Sequence, residues 1–573
     1  MNRRSTLALI TASLLTTSML AMAQPAAAAE VTPARLVNAD QEPQNWLMNH
    51  RTYDGQRFSP LDRINSGNVK NLRLAYAVAL GGSAANEFNE ATPLAEDGFL
   101  YTVDSWGVVY KIDGTSGDAG RIVWRMDPKQ EKQAANRGVA LWGNFVISVA
   151  NQPARVIATE KDSGKVAWET NVEFGEPDTS LRAAPLAVKD KILFGAAGSS
   201  AGVREWIAAV DAATGKLAWR KFTIPAPGEP GSETWKDKNN AWQTGGGSVW
   251  VTGTYDPASN QTIWGTGNPV PEYDPTYRPG DNLFTNSAIS WDPDSGKMNW
   301  YFQYTPGDMW DFDEVGTHIL VDGMVSGEPR KLVAHSARNG FFYTMDRSNG
   351  QIVAAKPYMD NINWTKGIDQ KTGKPLDYDP NKDIQTYAGV GNIVPGAPLK
   401  KLCPSHDGSN NFWPASYSRR TALVYIPALT GCETVIDNHE TRVKGKSWTG
   451  GSYSTNERYE SNLTAVDPLT GEVKKTAHLR YPILSGALTT AGHLVFVGLL
   501  DGTVAAYDDT TLEELWKVNV GAAFSAPPMT FAVNGRQYLA ITTGPSGNAR
   551  VHMVNSPELK DLRNATVLYV FSL

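Results

Sequence analysis

A short phrase recurs along this chain and restricts what it can fold into. AVDAATGKLAWR (209–220), SWDPDSGKMNWY (290–301) and AYDDTTLEELWK (506–517) each place a Trp eight positions after an Asp. ATEKDSGKVAWE (158–169) keeps the spacing with Glu160 and Trp168, and looser copies start near 111, 344 and 465. Each copy reads as strand, tight turn, strand. The Asp side chain caps the turn, the Gly accepts positive φ, and the Trp packs a flat apolar face on the neighbouring unit. Repeated units that cannot bury their own faces must stack on one another. The predicted fold is therefore all-β: an eight-bladed β-propeller of four-stranded blades with tryptophan-docking repeats, with seven blades as the alternative count. A series of β-sandwiches is the competing architecture, but it has no need of a repeated Trp.

Three Pro/Gly-rich stretches, 223–250, 265–290 and 356–415, do not fit a plain hairpin array. Long insertions on such a scaffold carry function. No linker or second-domain boundary is visible, so residues 30–573 are expected to form a single domain.

The first residues address the compartment. Arg3 and Arg4 precede an apolar run from Leu7 to about Met22 and the small residues Ala26 to Ala29. This is the pattern of a secretory signal peptide over 1–29, cut near Ala23 or Ala29. As a membrane anchor the run is short and broken by Ser and Thr. An oxidising space, the periplasm of a Gram-negative host, is expected. There, Cys403 and Cys432, the two cysteines of the chain, most simply form a disulfide, although geometry decides that. They are too few for an iron–sulfur cluster, and the absence of C-x-x-C-H excludes covalent haem in this chain. A net charge of −6 with no basic tract argues against nucleic acid or anionic membrane as a partner.

The acidic phrase Trp310-Asp311-Phe312-Asp313 puts two carboxylates on one side of an extended segment. Two such groups can hold a hard cation through oxygen; solvated loop acids are the plainer alternative, and the flanking aromatics speak for a partly buried loop.

At this point the chain resembles the quinoprotein alcohol dehydrogenases, the methanol dehydrogenase large-subunit family, over nearly all of its length. The resemblance is carried by TYDGQRFSPL (52–61) within an entry segment 46–72, then GTGNPVP (265–271), RPGDN (278–282), GDMWDFDEVG (307–316) and ARNGFFYTMDR (337–347), in that order. It implies a dehydrogenase that oxidises a small alcohol by hydride transfer to pyrroloquinoline quinone (PQQ) held beside Ca²⁺, with a lanthanide as the alternative ion. It makes Asp311 the base that takes the alcohol proton, and Asn268, Asp311 and Asp313 groups of the metal site. Trp250, in GGGSVW after Ser248, matches the platform beneath the quinone; one more blade-packing Trp is the alternative in a chain with 18 of them. The Gly245–Gly247 run favours a platform, because glycines let backbone approach a ligand. Glu90, Arg137, Ser248, Arg338 and Asn411 match cofactor contacts, and Cys403 with Cys432 matches a long-loop disulfide of the methanol enzymes. With no haem in the chain, an external acceptor, a soluble cytochrome c, is implied; a homodimer is left open.

Two departures stand out. Glu131-Lys132-Gln133-Ala134-Ala135-Asn136-Arg137-Gly138 lacks the adjacent cysteines that many members carry before D-x-V-N-R-G, which weakens a methanol-type substrate and favours a sugar or polymer alcohol as the alternative. Ser200 stands where the family's metal-binding carboxylate is expected, and Glu205 is the nearby acid that could replace it. A non-enzymatic propeller scaffold is the rival from another class. It has no use for Asn268, Asp311, Asp313 and Arg338 together.

Overall fold

In the computed structural model, residues 29–81, 89–387, 401–455, 457–545, 549, 555–560, 562 and 565–573 are described. The leader expected over 1–29 lies, apart from Ala29, outside them. Eight β-sheets follow one another, seven of four strands and one of five, with a small three-stranded sheet beside them. Within a sheet, neighbouring strands are mostly consecutive antiparallel hairpins, as in Leu186–Val188, Lys191–Gly195, Trp206–Asp211 and Leu217–Phe222. The last sheet joins three C-terminal strands to Arg73–Ala79 from the start of the chain, so the two ends share one ladder.

The turns explain why the phrase recurs. Asp211 Oδ1 accepts the Thr214 amide at 2.9 Å, Asp292 Oδ1 accepts those of Asp294 and Ser295, and Asp508 Oδ1 those of Thr510 and Thr511. From four of the outer strands the indole then reaches the turn of the next sheet. Trp124 Nε1 donates to Lys161 O at 2.9 Å, Trp168 to Ala212 O at 3.2 Å, Trp219 to Pro293 O at 2.9 Å and Trp300 to Arg347 O at 3.0 Å. The turn glycine lies under the ring: at Gly296 (φ 68°) a Cβ would stand 2.6 Å from Trp219. Between the sheets ending in Ile352–Pro357 and Val473–Leu479 no Trp is available, and Thr344 Oγ1 instead donates to Pro468 O at 2.6 Å.

Middle strands such as Phe145–Ala150 are buried on both faces, whereas outer strands such as Val166–Asn171 are half exposed. The core is therefore the set of interfaces between sheets.

The irregular stretches are largely where the sequence suggests. No strand lies between Phe222 and Thr254, or between Gly265 and Ser287; the expected second stretch, 265–290, ran into the strand Ser287–Trp291. A further insertion was not anticipated. Residues 431–459 interrupt a sheet between Leu423–Thr430 and Glu460–Val466; their strand Glu433–Asp437 pairs with Lys401–Leu402 on one side and with Gly451–Ser454 on the other. Their alternating sequence reads like one more hairpin, which hides the interruption. The expected disulfide between Cys403 and Cys432 is formed and ties this insertion to the 401–415 loop.

Trp219→Ala removes one indole bridge and is expected to cost about 3–5 kcal/mol, read as a lowered denaturant midpoint; an unchanged midpoint would show that the bridge is not a stabilising contact.

Candidate active site

Six sheets in succession are each preceded by a segment that ends at one cavity of about 660 Å³. Its walls include Glu90, Arg137, Ser200, Ser248, Trp250, Asn268, Asp311, Asp313, Arg338 and Asn411. These ten residues singled out in the sequence for cofactor or metal thus border one space. The size falls in the range of small-molecule sites.

The acidic loop is built from its alternation. Asp308 holds it closed, its carboxylate accepting the amides of Trp310 at 3.2 Å and Phe312 at 3.0 Å. Trp310 and Phe312 turn inward onto Trp364, at ring distances of 5.5 and 5.9 Å. Asp311 and Asp313 are left to face the cavity. The sidedness is the one expected, but the segment is no strand: Asp311 has φ 62°, in the left-handed region.

GTGN positions the facing wall. A Cβ at Gly265 would lie 2.1 Å from Glu314 O, and one at Gly267 would lie 2.3 Å from Asp313 Oδ1. Bare backbone at both lets the Asn268 amide donate to Asp313 Oδ1 at 2.6 Å. The Gly245–Gly247 run is closely packed as well. A Cβ there would meet Trp235 at Gly245, Asn268 O at Gly246 and Ile224 at Gly247, and of these Asn268 borders the cavity.

Arg338 is the cation facing the acids. Its Nη2 lies 3.3 Å from Asp313 Oδ2, while Nη1 lies 3.7 Å from Asp311 Oδ1 and donates to Asp311 O at 2.6 Å and His406 O at 3.0 Å. Its stem crosses Gly408, where a Cβ would stand 1.7 Å from Cγ. Behind it, buried Glu314 accepts the Arg338 amide at 3.0 Å and meets His335 Nε2 at 3.0 Å; His335 stacks on His318, which bonds Tyr304. Arg137 pairs with Glu90 at 2.6 Å, and its guanidinium lies 4.6 Å over Trp250 and 4.8 Å over Phe412.

Burial, then the charges of Glu272 and Asp313, push the Asp311 carboxyl well above the usual carboxylate range, with Arg338 opposing. Glu272 is a cavity residue the sequence reading missed; burial pushes it to about 7. Glu205 does not border the cavity. It lies fully buried behind Gly198, neither of its oxygens has a hydrogen-bond partner, and burial pushes it to about 8.

The free guanidinium nitrogens suit a flat anionic ligand, and the free amide oxygen suits a donor or a cation. Arg137 Nε, Arg338 Nε and Asn411 Oδ1 are buried at this cavity without a hydrogen-bond partner, and a buried polar group left so is costly. Beside them Trp250 offers a half-buried ring face. Among the described residues no three His, Cys, Asp or Glu side chains already converge as metal ligands. Asp313 and Asp311 are engaged by Arg338 and the Asn268 amide, so an ion must draw them, with the Asn268 amide oxygen, to itself.

His406 makes the site sensitive to pH. Burial disfavours its charge, but Asp407 and Glu433 outweigh that and raise it from 6.5 to about 9; Glu433 Oε2 lies 2.6 Å from Nδ1. A raised folded pKa stabilises below the unfolded value and is lost as pH climbs through the folded one. Unfolding free energy should therefore fall by up to about 3 kcal/mol between pH 6.5 and 9, and Glu433→Gln should flatten that slope in denaturant titrations; an equal slope in the variant would remove the pair from the account.

Comparison with known proteins follows the same lines. Residues 46–355 and 454–539 match the PQQ family described as "Glucose/ethanol/alcohol dehydrogenase, beta-propeller domain". The chain is 32% identical to the quinoprotein alcohol dehydrogenase PedH of Pseudomonas putida, over 96% of this chain and 94% of that one. It is 35% identical to the quinohemoprotein alcohol dehydrogenase ADH IIB of Pseudomonas putida, over 97% and 81%. A europium-containing methanol dehydrogenase superposes with a TM-score of 0.85 at 28% identity, over 94% of this chain and all of that one. The chain belongs to the PQQ-dependent alcohol dehydrogenase family.

Proposed function

We propose that the chain oxidises an alcohol to an aldehyde or ketone by hydride transfer to metal-bound PQQ. The observation that carries this reading is the convergence of ten sequence-selected residues on one cavity that also holds partnerless buried guanidinium nitrogens. Trp250 stacks the ring. Arg137 and Arg338 offer donors to its carboxylates and carbonyls, as charge-assisted bonds require, and Glu90, Ser248 and Asn411 complete the polar wall. Asn268, Asp311 and Asp313 hold the ion, Ca²⁺ or a lanthanide.

When bound, the quinone supplies a two-electron acceptor and the ion beside it a Lewis acid. Asp311 takes the substrate hydroxyl proton on its carboxylate. Arg338, 3.7 Å from Asp311 Oδ1, favours the charged form that a base requires.

The architecture is read as one eight-bladed propeller over 30–573, each sheet a blade and each indole bridge a docking contact. The leader pattern supports export to the periplasm, and the absence of a haem motif supports a separate acceptor, a soluble cytochrome c. Among the described residues no helix is long and apolar enough to cross a membrane. Gln133, Ala134 and Ala135 form the wall next to the missing cysteines. The two alanines, with no disulfide there, favour, as a second reading, a sugar or polymer alcohol over methanol.

Asp311→Asn should lower kcat/KM by about 10²–10⁴-fold in a dye-linked assay with PQQ and Ca²⁺ or a lanthanide, while quinone binding followed by tryptophan quenching persists. Wild-type turnover in that variant would remove Asp311 as the base. No turnover by the wild type with any alcohol, quinone and cation would return the chain to the scaffold reading.

A further inference from the structure

The position that lacks its carboxylate has a neighbour that supplies one. Ser200 Oγ donates to Glu272 Oε1 at 2.7 Å, across 72 residues of sequence, and both side chains border the cavity that holds Asn268, Asp311 and Asp313. Glu272 follows Asn268 by four positions in GTGNPVPE, so one loop carries both.

That loop is rigidly held. Arg278, fully buried, donates Nε to Pro271 O at 2.8 Å, Nη2 to Glu272 O at 2.8 Å and Nη1 to Asn282 Oδ1 at 3.0 Å. Ser200 is held in turn by the Trp448 amide, which donates to its carbonyl at 2.5 Å. Both members of the Ser200–Glu272 pair are thus positioned through their backbones, and Glu272 is 5% exposed.

The charge balance needs a further partner. Glu272, Asp311 and Asp313 share one buried wall, with Arg338 the cation that contacts both aspartates. Close carboxylates in a buried site repel, and removing one charge's partner there costs several kcal/mol. Independently, Asn411 Oδ1, on a side chain 5% exposed and bordering the same cavity, accepts no hydrogen bond. A free acceptor on the wall of a cavity that also carries three carboxylates points to a ligand that brings positive charge.

We infer that Glu272 is the carboxylate ligand that replaces the one missing at position 200, and that Ser200 is its positioning residue. The inference rests on the quinone reading above. With Glu272 the donor set is three carboxylates and one amide, and three negative charges match a trivalent lanthanide more closely than Ca²⁺.

The test is a Tb³⁺ titration of the PQQ-loaded protein, read by sensitised luminescence, with lifetimes in H₂O and D₂O to count water on the ion. Glu272→Gln, nearly isosteric, should weaken Tb³⁺ by more than about 100-fold and admit about one more water; Ser200→Ala should weaken it about 10-fold, as loss of an outer-sphere partner does. Ca²⁺ affinity, measured by competition, should fall less in Glu272→Gln than Tb³⁺ affinity does. Wild-type Tb³⁺ affinity and water count in Glu272→Gln, in protein that still binds quinone, would overturn the role of Glu272 and leave the quinone reading standing. Failure of the wild type to bind quinone or either cation would overturn both.

Discussion

One guanidinium set among buried carboxylates organises the site. Arg338 faces Asp311 and Asp313 in a setting where each charge has lost most of its water. Such an arrangement is poor value for stability alone, since apolar side chains of similar volume often do as well or better. It persists because surrounding structure holds it. Glu314 fixes the Arg338 amide, Gly408 gives the stem room, and Gly265 and Gly267 bring the Asn268 wall within a hydrogen bond of Asp313. Removing a side chain from three glycines is what allows the charges to meet.

The sheets supply the rigidity this needs. Each indole bridge joins one sheet to the next turn, so the segments before successive inner strands are delivered to a common place. Loops so carried can hold charged groups at fixed separation, the preorganisation on which electrostatic catalysis depends. The insertion 431–459 adds a second layer. It contributes Glu433 to His406, Trp448 to Ser200, and Gly445, Lys446 and Ser447 to the cavity wall, and the Cys403–Cys432 disulfide anchors it.

Much of this was legible in the chain itself. The Asp-to-Trp spacing pairs a capped turn with an indole that hydrogen-bonds the turn of the next sheet, as at Asp211 and Trp219. WDFD encodes a loop with aromatics in and acids out, and the ordered site segments bring Asn268, Asp311 and Arg338 to one cavity. What stayed hidden depends on pairing through space. Ser200 and Glu272 are ordinary loop residues until the fold brings them within 2.7 Å. Glu205, nearer in sequence to Ser200, has the right chemistry but points to the wrong side of Gly198. The polar chain from Glu314 through His335 and His318 to Tyr304 gives no local signal, because its members come from separate strands and loops.

The central claim is that one cavity holds both the ring and the ion. An anomalous-difference map from crystals grown with PQQ and a lanthanide addresses it directly. The account predicts a single strong peak among Asn268, Glu272, Asp311 and Asp313, with planar density against Trp250. A peak elsewhere, or planar density absent from that ring face, would contradict it.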